Sequence, residues 1–324
     1  MKSMKKSILI TCALMSFNLF AAEVDSFTVR YVPIDDALEI VNQKTNDMLE
    51  AALTDLNQKD HKCSEKKLYK RLRKVFNNQY RGEFTKWVVT TEDFDKRLVG
   101  IEESVYSTWS WKEAIIMGGY SRMVDPSAAT LNMNGHYIGT DKFEHFLGSG
   151  FRYFNKHYLQ NENMNAAVGI GLKAETGLLG AMTTGVQSYG DLTANFNGMR
   201  FWNHLLQKHN DVLGADYNIG PLLKCESGKW SQVKQIDWSN YIDSAFDETI
   251  NCSKFRTQSM IDKVNKQINR LEDRDNLPYT CPVTTVGNQA LQTKYGKYAP
   301  ILLNFEGFKV ADKKWRLLLD LILN

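Results

Sequence analysis

The sequence predicts a mainly α protein, a helical bundle with a short N-terminal strand, minor β content and a disulfide-stapled C-terminal region. Three observations lead there. Amphipathic stretches with a period of about 3.6 residues recur along most of the 324 residues. Alternating, strand-like stretches are few and short. Four cysteines, Cys63, Cys225, Cys252 and Cys281, remain once a leader is set aside, and three of them fall in the last third of the chain.

The leader comes first. Lys2, Lys5 and Lys6 precede an apolar run from Ile8 to Phe20 that ends in Ala21 and Ala22. This is the pattern of a secretory signal peptide over residues 1–22. The run is too short to span a bilayer, so no transmembrane span is expected in the mature chain. Cys12 fits a lipidation site poorly. Removal of the leader places the protein in the periplasm or outside the cell, where disulfides persist, and two bridges are expected. Four cysteines allow three pairings, which spacing does not resolve, and no CxxC pair favours zinc.

Residues 23–130 read as an N-terminal helical region. "DSFTVRYVPI" alternates like a strand, and Asp35 or Asp36 is placed to cap "ALEIVNQKTNDMLEAALTDLNQ". A second helix, "SEKKLYKRLRKVFNNQ", has Ser64 and Glu65 at its start and a basic face that reads as solvated surface. "IEESVYSTWSWKEAIIMGGYSRM" reads as a helix broken at Gly118 and Gly119, with Tyr106 and Trp109 core residues and Trp109 or Trp111 a candidate contact surface. "VDPSAATLNMNGHYIGT" reads as a loop.

Residues 131–210 form the predicted helical core, with helices over 141–159, 164–181 and 190–207. Residues 211–324 make a C-terminal region with a long amphipathic stretch, 239–274, and a closing hairpin and helix. The formal charge of +3, from 40 basic and 37 acidic residues, and the lack of a basic, aromatic stripe exclude a nucleic-acid partner.

The candidate site lies in the core region. On a helix starting at Asp141, the residues Asp141, His145, Ser149 and Arg152 share one face, with Glu144 at the border of the apolar side. Thr140 is placed as an N-cap. The next helix, "NAAVGIGLKAETGLLGA", is nearly all small or apolar, which makes it a core helix and leaves Glu175 buried. Its glycines point to close helix approach, and Lys173 lies on another face. A buried carboxyl needs a partner or takes up a proton. Ser188 and Asp191 have capping-box spacing, and Asp191 shares a face with Asn195 and Gly198. If the three helices are neighbours, these polar groups converge.

The runs "DKFEHFLGSG", "GIGLKAE" and "SYGDLTANFNG" resemble the YfiM-type family of bacterial envelope proteins. The likeness covers about residues 139–200. It touches Asp141, Lys142, His145, Ser149, Gly171, Leu172, Glu175, Ser188, Asp191, Leu192, Asn195 and Gly198. The lysine that precedes the glutamate in the family is displaced to Lys173, and its second acidic position is Asn195. The resemblance implies an exported helical envelope protein and no settled activity.

Two functions compete. One is a hydrolase of a cell-wall glycan, in which Glu175 with a raised pKa works with a second carboxylate, Glu144 or Asp191. The other is a non-catalytic envelope protein, structural or binding a cell-wall or envelope component, whose polar cluster of Asp141, His145, Ser149 and Asn195 fixes helix packing. A metal on Asp141, His145, Glu175 and Asp191 is a third arrangement, but with a single histidine the same residues make an ordinary ion-paired core. No metal or other cofactor is expected.

Overall fold

Helix Tyr189–Leu206 is buried along its length from Tyr189 to Leu205, and the other elements are arranged around it. In the computed structural model, residues 23–59, 62–110, 113, 126–176 and 184–311 are described. The expected signal peptide lies outside them, as does most of the segment 111–125.

In chain order the helices are α1 (Leu38–Gln58), α2 (Glu65–Val75) and α3 (Glu83–Thr90). Next comes α4, a continuous helix from Asp141 to Leu159 in which His145–Ser149 and Asn155–Leu159 take π geometry. Then follow α5 (Met164–Thr176), α6 (Tyr189–Leu206), α7 (Gln258–Asp275), α8 (Asn288–Tyr295) and the short α9 (Ala299–Leu302). The strands are small: a hairpin β1 (Thr130–Met133) and β2 (His136–Gly139), and a second hairpin β4 (Leu223–Glu226) and β5 (Lys229–Gln232). A three-stranded patch joins β3 (Val186–Gln187), β6 (Lys254–Phe255) and β7 (Lys309–Val310). Mainly α with minor β is the observed class.

α4 and α6 cross where each has a glycine. A Cβ on Gly150 would lie 2.6 Å from Gly198 Cα, and one on Gly198 would lie 1.9 Å from the Phe146 carbonyl oxygen. α5 packs close for the same reason, since a Cβ on Gly171 would lie 1.8 Å from Tyr153 Oη. Around this crossing Phe146, Phe201, Trp238 and Tyr241 form an aromatic core, with Phe146 and Trp238 ring centroids 4.7 Å apart.

Several local expectations change. The N-terminal stretch is a series of turns from Ser26 rather than a strand, with the Asp25 carboxylate accepting from Thr28 N–H and Val105 N–H. Asp36 rather than Asp35 receives the Leu38 N–H of α1, at 2.9 Å. The Ser64 and Thr140 side chains do not cap their helices; Thr140 Oγ1 donates to the Ser127 carbonyl at 2.7 Å. Residues 101–108 are turns, not helix, and the loop expected before α4 contains the β1–β2 hairpin, closed by Asn134 and Gly135 with positive φ. In the stretch 239–274 only the part from Gln258 is α-helical.

Tyr106 and Trp109 are buried core residues as read, with ring centroids 4.8 Å apart. Trp111 lies outside the described residues. Both bridges form: Cys252–Cys281 staples the C-terminal region, and Cys63–Cys225 ties the start of α2 to β4.

Candidate functional site

The polar groups of α4, α5 and α6 meet in two adjoining places: a sealed cluster around Lys142, and a cleft beside it. Lys142, only 1% exposed, sends its ammonium among three carboxylates. It donates to Asp141 Oδ2 at 2.9 Å and to Glu248 Oε1 at 2.7 Å. It also meets Asp191 Oδ1 at 2.7 Å, off the line of a straight hydrogen bond, so this third contact is an ion pair first.

The start of α6 supplies the frame. Ser188 Oγ accepts from the Asp191 N–H at 3.1 Å, the capping contact its spacing predicts, and donates to Glu248 Oε1 at 2.6 Å. His145 stands between the two stripes: its Nε2 faces Asp191 Oδ2 at 3.2 Å and its Nδ1 faces Asn195 Oδ1 at 3.2 Å. Neither ring nitrogen is free, so His145 positions its neighbours and is not placed to take a substrate proton.

Burial governs the charges. It raises the Glu175 pKa well above the ordinary carboxylate value, and the charges of Asp191 and Glu23 push the same way. Glu23 and Asp141 are likewise raised, chiefly by burial and then by neighbouring carboxylates. Burial alone would raise Asp191 as well, but the charges of His145 and Lys142 outweigh it and hold Asp191 below its usual value. Burial also works against the Lys142 ammonium, yet Asp141, Asp191 and Glu248 together keep it well above the lysine range. The cluster is thus a buried cation set among three carboxyl groups, of which burial favours the protonated form of Asp141 and the neighbouring positive charge favours the ionised form of Asp191.

Asp141, His145 and Asp191 bring one ligand atom each within 4.8 Å of one another, the grouping a cation would need. Lys142 already contacts both carboxylates, so positive charge is supplied from within the chain.

The cleft opens on the other side of His145. It is small, with a cavity volume of about 90 Å³, and is partly open to solvent; Glu144, His145, Ser149, Glu175 and Asn195 line it. Arg73, Arg81 and Arg152 line it too. Glu175 is 4% exposed, so its carboxyl sits at the floor, where the Ser188 N–H donates to it. Glu144 is half-buried, and its Oε2 receives the Gln79 N–H at 3.4 Å.

Of the residues singled out in the sequence, Asp141, His145, Asp191 and Asn195 therefore join in one network. Glu144, Ser149 and Glu175 share the cleft with His145 and Asn195. Asp191 is not among the cleft-lining residues and is committed to Lys142 and His145. Sequence reasoning passed over Lys142 as the counterion, and it missed Glu23, Glu248, Arg73 and Arg81, while Arg152 was placed on the polar face of α4. The Asp-Lys pair at the head of the "DKFEH" run was the available signal for Lys142. Glu248 lies 106 residues away in a loop and carried none.

A second buried network was also missed. Arg200 Nε donates to Asp211 at 2.8 Å, His204 Nε2 lies 2.8 Å from the same carboxylate, and His204 Nδ1 meets Tyr241 Oη at 3.1 Å. Burial lowers the His204 pKa, and the site is closed to solvent, so this network belongs to the architecture.

No family model, curated protein or solved structure matches this chain. The residues themselves carry the functional argument.

Proposed function

We propose that the chain is an exported envelope protein that hydrolyses a cell-wall glycan, with Glu175 as proton donor and Glu144 as the second carboxylate. One observation carries this reading: a buried glutamate with a raised pKa lies at the floor of an accessible cleft that holds a second carboxyl group. Glycoside cleavage asks for that pair, one carboxyl protonated at working pH to donate to the leaving oxygen, the other acting on the sugar or on water. Of the two partners expected for Glu175, Glu144 lines the cleft and Asp191 is held behind it by Lys142.

Export is supported by the leader pattern of residues 1–22 and by two disulfides, which belong to oxidising compartments. Among the described residues no helix is long and apolar enough to cross a membrane. The likeness to the YfiM-type family supports the same location.

The test is release of reducing ends from purified wall glycan by the mature chain, compared with Glu175→Gln and Glu144→Gln. A loss of about 100-fold or more in each variant, with near-UV circular dichroism unchanged, supports the reading. Full activity in Glu175→Gln overturns it.

A second reading has its own observation. The Lys142 cluster is sealed, which suits a device that fixes the register of α4 against α6. On that reading the protein is a non-catalytic envelope component, and no glycan, wall or lipid substrate is turned over by the wild-type chain.

A further inference from the structure

The three arginines of the cleft are unusual in their company. Arg73 comes from α2, Arg81 from the turn before α3 and Arg152 from α4. Among the described residues no carboxylate forms an ion pair with any of them. Arg73 is fixed in place, its guanidinium carbon 4.4 Å from the centroid of the Phe151 ring. Its Nε is buried and has no hydrogen-bond partner.

The groups repel one another. Burial lowers the Arg73 pKa first, and the charges of Arg152 and Arg81 lower it further. Three guanidinium groups gathered at one opening, with no carboxylate ion-paired to them among the described residues, bear that repulsion unless a counterion is present. Burial raises the Glu175 pKa, so its carboxyl contributes less negative charge to the cleft than an exposed glutamate would. Even with Glu144 counted as a full negative charge, positive charge is in excess. Arg81 and Arg152 are exposed, so they can swing onto a ligand, while Arg73 supplies the rigid, partly desolvated contact.

We infer that Arg73, Arg81 and Arg152 form an anion subsite that takes a phosphate group of the substrate, making the preferred substrate a phosphorylated glycan. Guanidinium groups donate pairs of hydrogen bonds to phosphate and carboxylate alike, but three of them around one opening match a dianion better than a single carboxylate. The inference rests on the reading of the cleft as the hydrolytic site, since that reading makes the bound group part of a substrate.

The experiment is a calorimetric titration of the mature chain with inorganic phosphate and, at equal ionic strength, with acetate. No substrate is present, so the result is independent of catalysis. The expected result is saturable phosphate binding at least about tenfold tighter than acetate, weakened about tenfold or more in the Arg81→Gln/Arg152→Gln double variant. Both positions are exposed, so the variant keeps its core. Thermal melts give a second readout: phosphate should raise the wild-type melting temperature by mass action and leave that of the double variant unchanged. Absence of saturable phosphate binding, acetate binding as tight as phosphate, or equal binding by the variant would each overturn the inference. Phosphate binding that persists while Glu175→Gln keeps full hydrolytic activity would sink the catalytic reading and leave the anion subsite standing.

Discussion

Replacing Glu175 with glutamine keeps the size of the side chain and removes its proton equilibrium, and the structure fixes the sign of the result. Burial, reinforced by Asp191 and Glu23, raises the folded-state pKa of Glu175 well above 4.5, the value expected in the unfolded chain. Between those two values the folded chain holds a proton that the unfolded chain has released. The stability contribution of this group is therefore whole below the unfolded value and is lost as pH rises, by about 1.4 kcal/mol per pH unit, until the folded pKa is passed. Glutamine has no such slope. Whatever constant offset the amide introduces, Glu175→Gln should gain on wild type by about 1.4 kcal/mol per pH unit above about pH 4.5, or about 3 to 6 °C of melting temperature per unit. Thermal melts followed by circular dichroism from about pH 4 to pH 8 measure the difference. Two parallel stability curves, or a wild type that gains on the variant as pH rises, would refute the burial argument. A variant that is more stable and inactive would show a carboxyl kept for function at a cost in stability.

Three further outcomes follow from the packing. Lys142→Met removes the cation from among Asp141, Asp191 and Glu248 and should destabilise the fold by about 3 to 5 kcal/mol in urea titrations, because uncompensated carboxylates stay buried; a loss below about 1 kcal/mol would show the pairs to be weak. Gly198→Ala drives a methyl group into the Phe146 carbonyl, which is backbone and cannot rotate away, so a loss of about 1 to 3 kcal/mol is expected, and an unchanged melt would mean that α4 and α6 can separate freely. Opening Cys63–Cys225, which spans 162 residues, should cost more than opening Cys252–Cys281, which spans 29; the chain-entropy values are about 5 and about 3.6 kcal/mol, and the reverse order in denaturant titrations of the two serine pairs would contradict that account.

The helical core was legible because its signals are local. Ser188 and Asp191 have capping spacing, the apolar run of α5 has no polar face, and the glycines mark contact, as Gly171 against Tyr153 confirms. The β1–β2 hairpin was legible in principle, since Asn134-Gly135 is the strongest short signal for a two-residue turn, yet the flanking residues do not alternate cleanly. Periodicity misplaced part of the site. A uniform helical projection put Asp141, His145, Ser149 and Arg152 on one stripe, but the π turns of α4 change the angle per residue: Asp141 serves the Lys142 cluster, Ser149 and Arg152 line the cleft, and His145 borders both. Other features depend on distant chain segments. Glu248 reaches Lys142 from a loop, Glu23 sits beside the expected leader, and Arg73 belongs to a helix whose basic face reads as ordinary surface.

The central claim is that Glu175 is a neutral acid at the floor of the cleft, and its protonation can be read directly. The infrared difference spectrum of wild type minus Glu175→Gln at about pH 6 isolates this one carboxyl group, whose ordinary value would leave it ionised there. A carboxylic acid carbonyl band, disappearing only at higher pH, is the predicted result. A carboxylate band already present at that pH would contradict it and remove the proton donor on which the proposed hydrolysis depends.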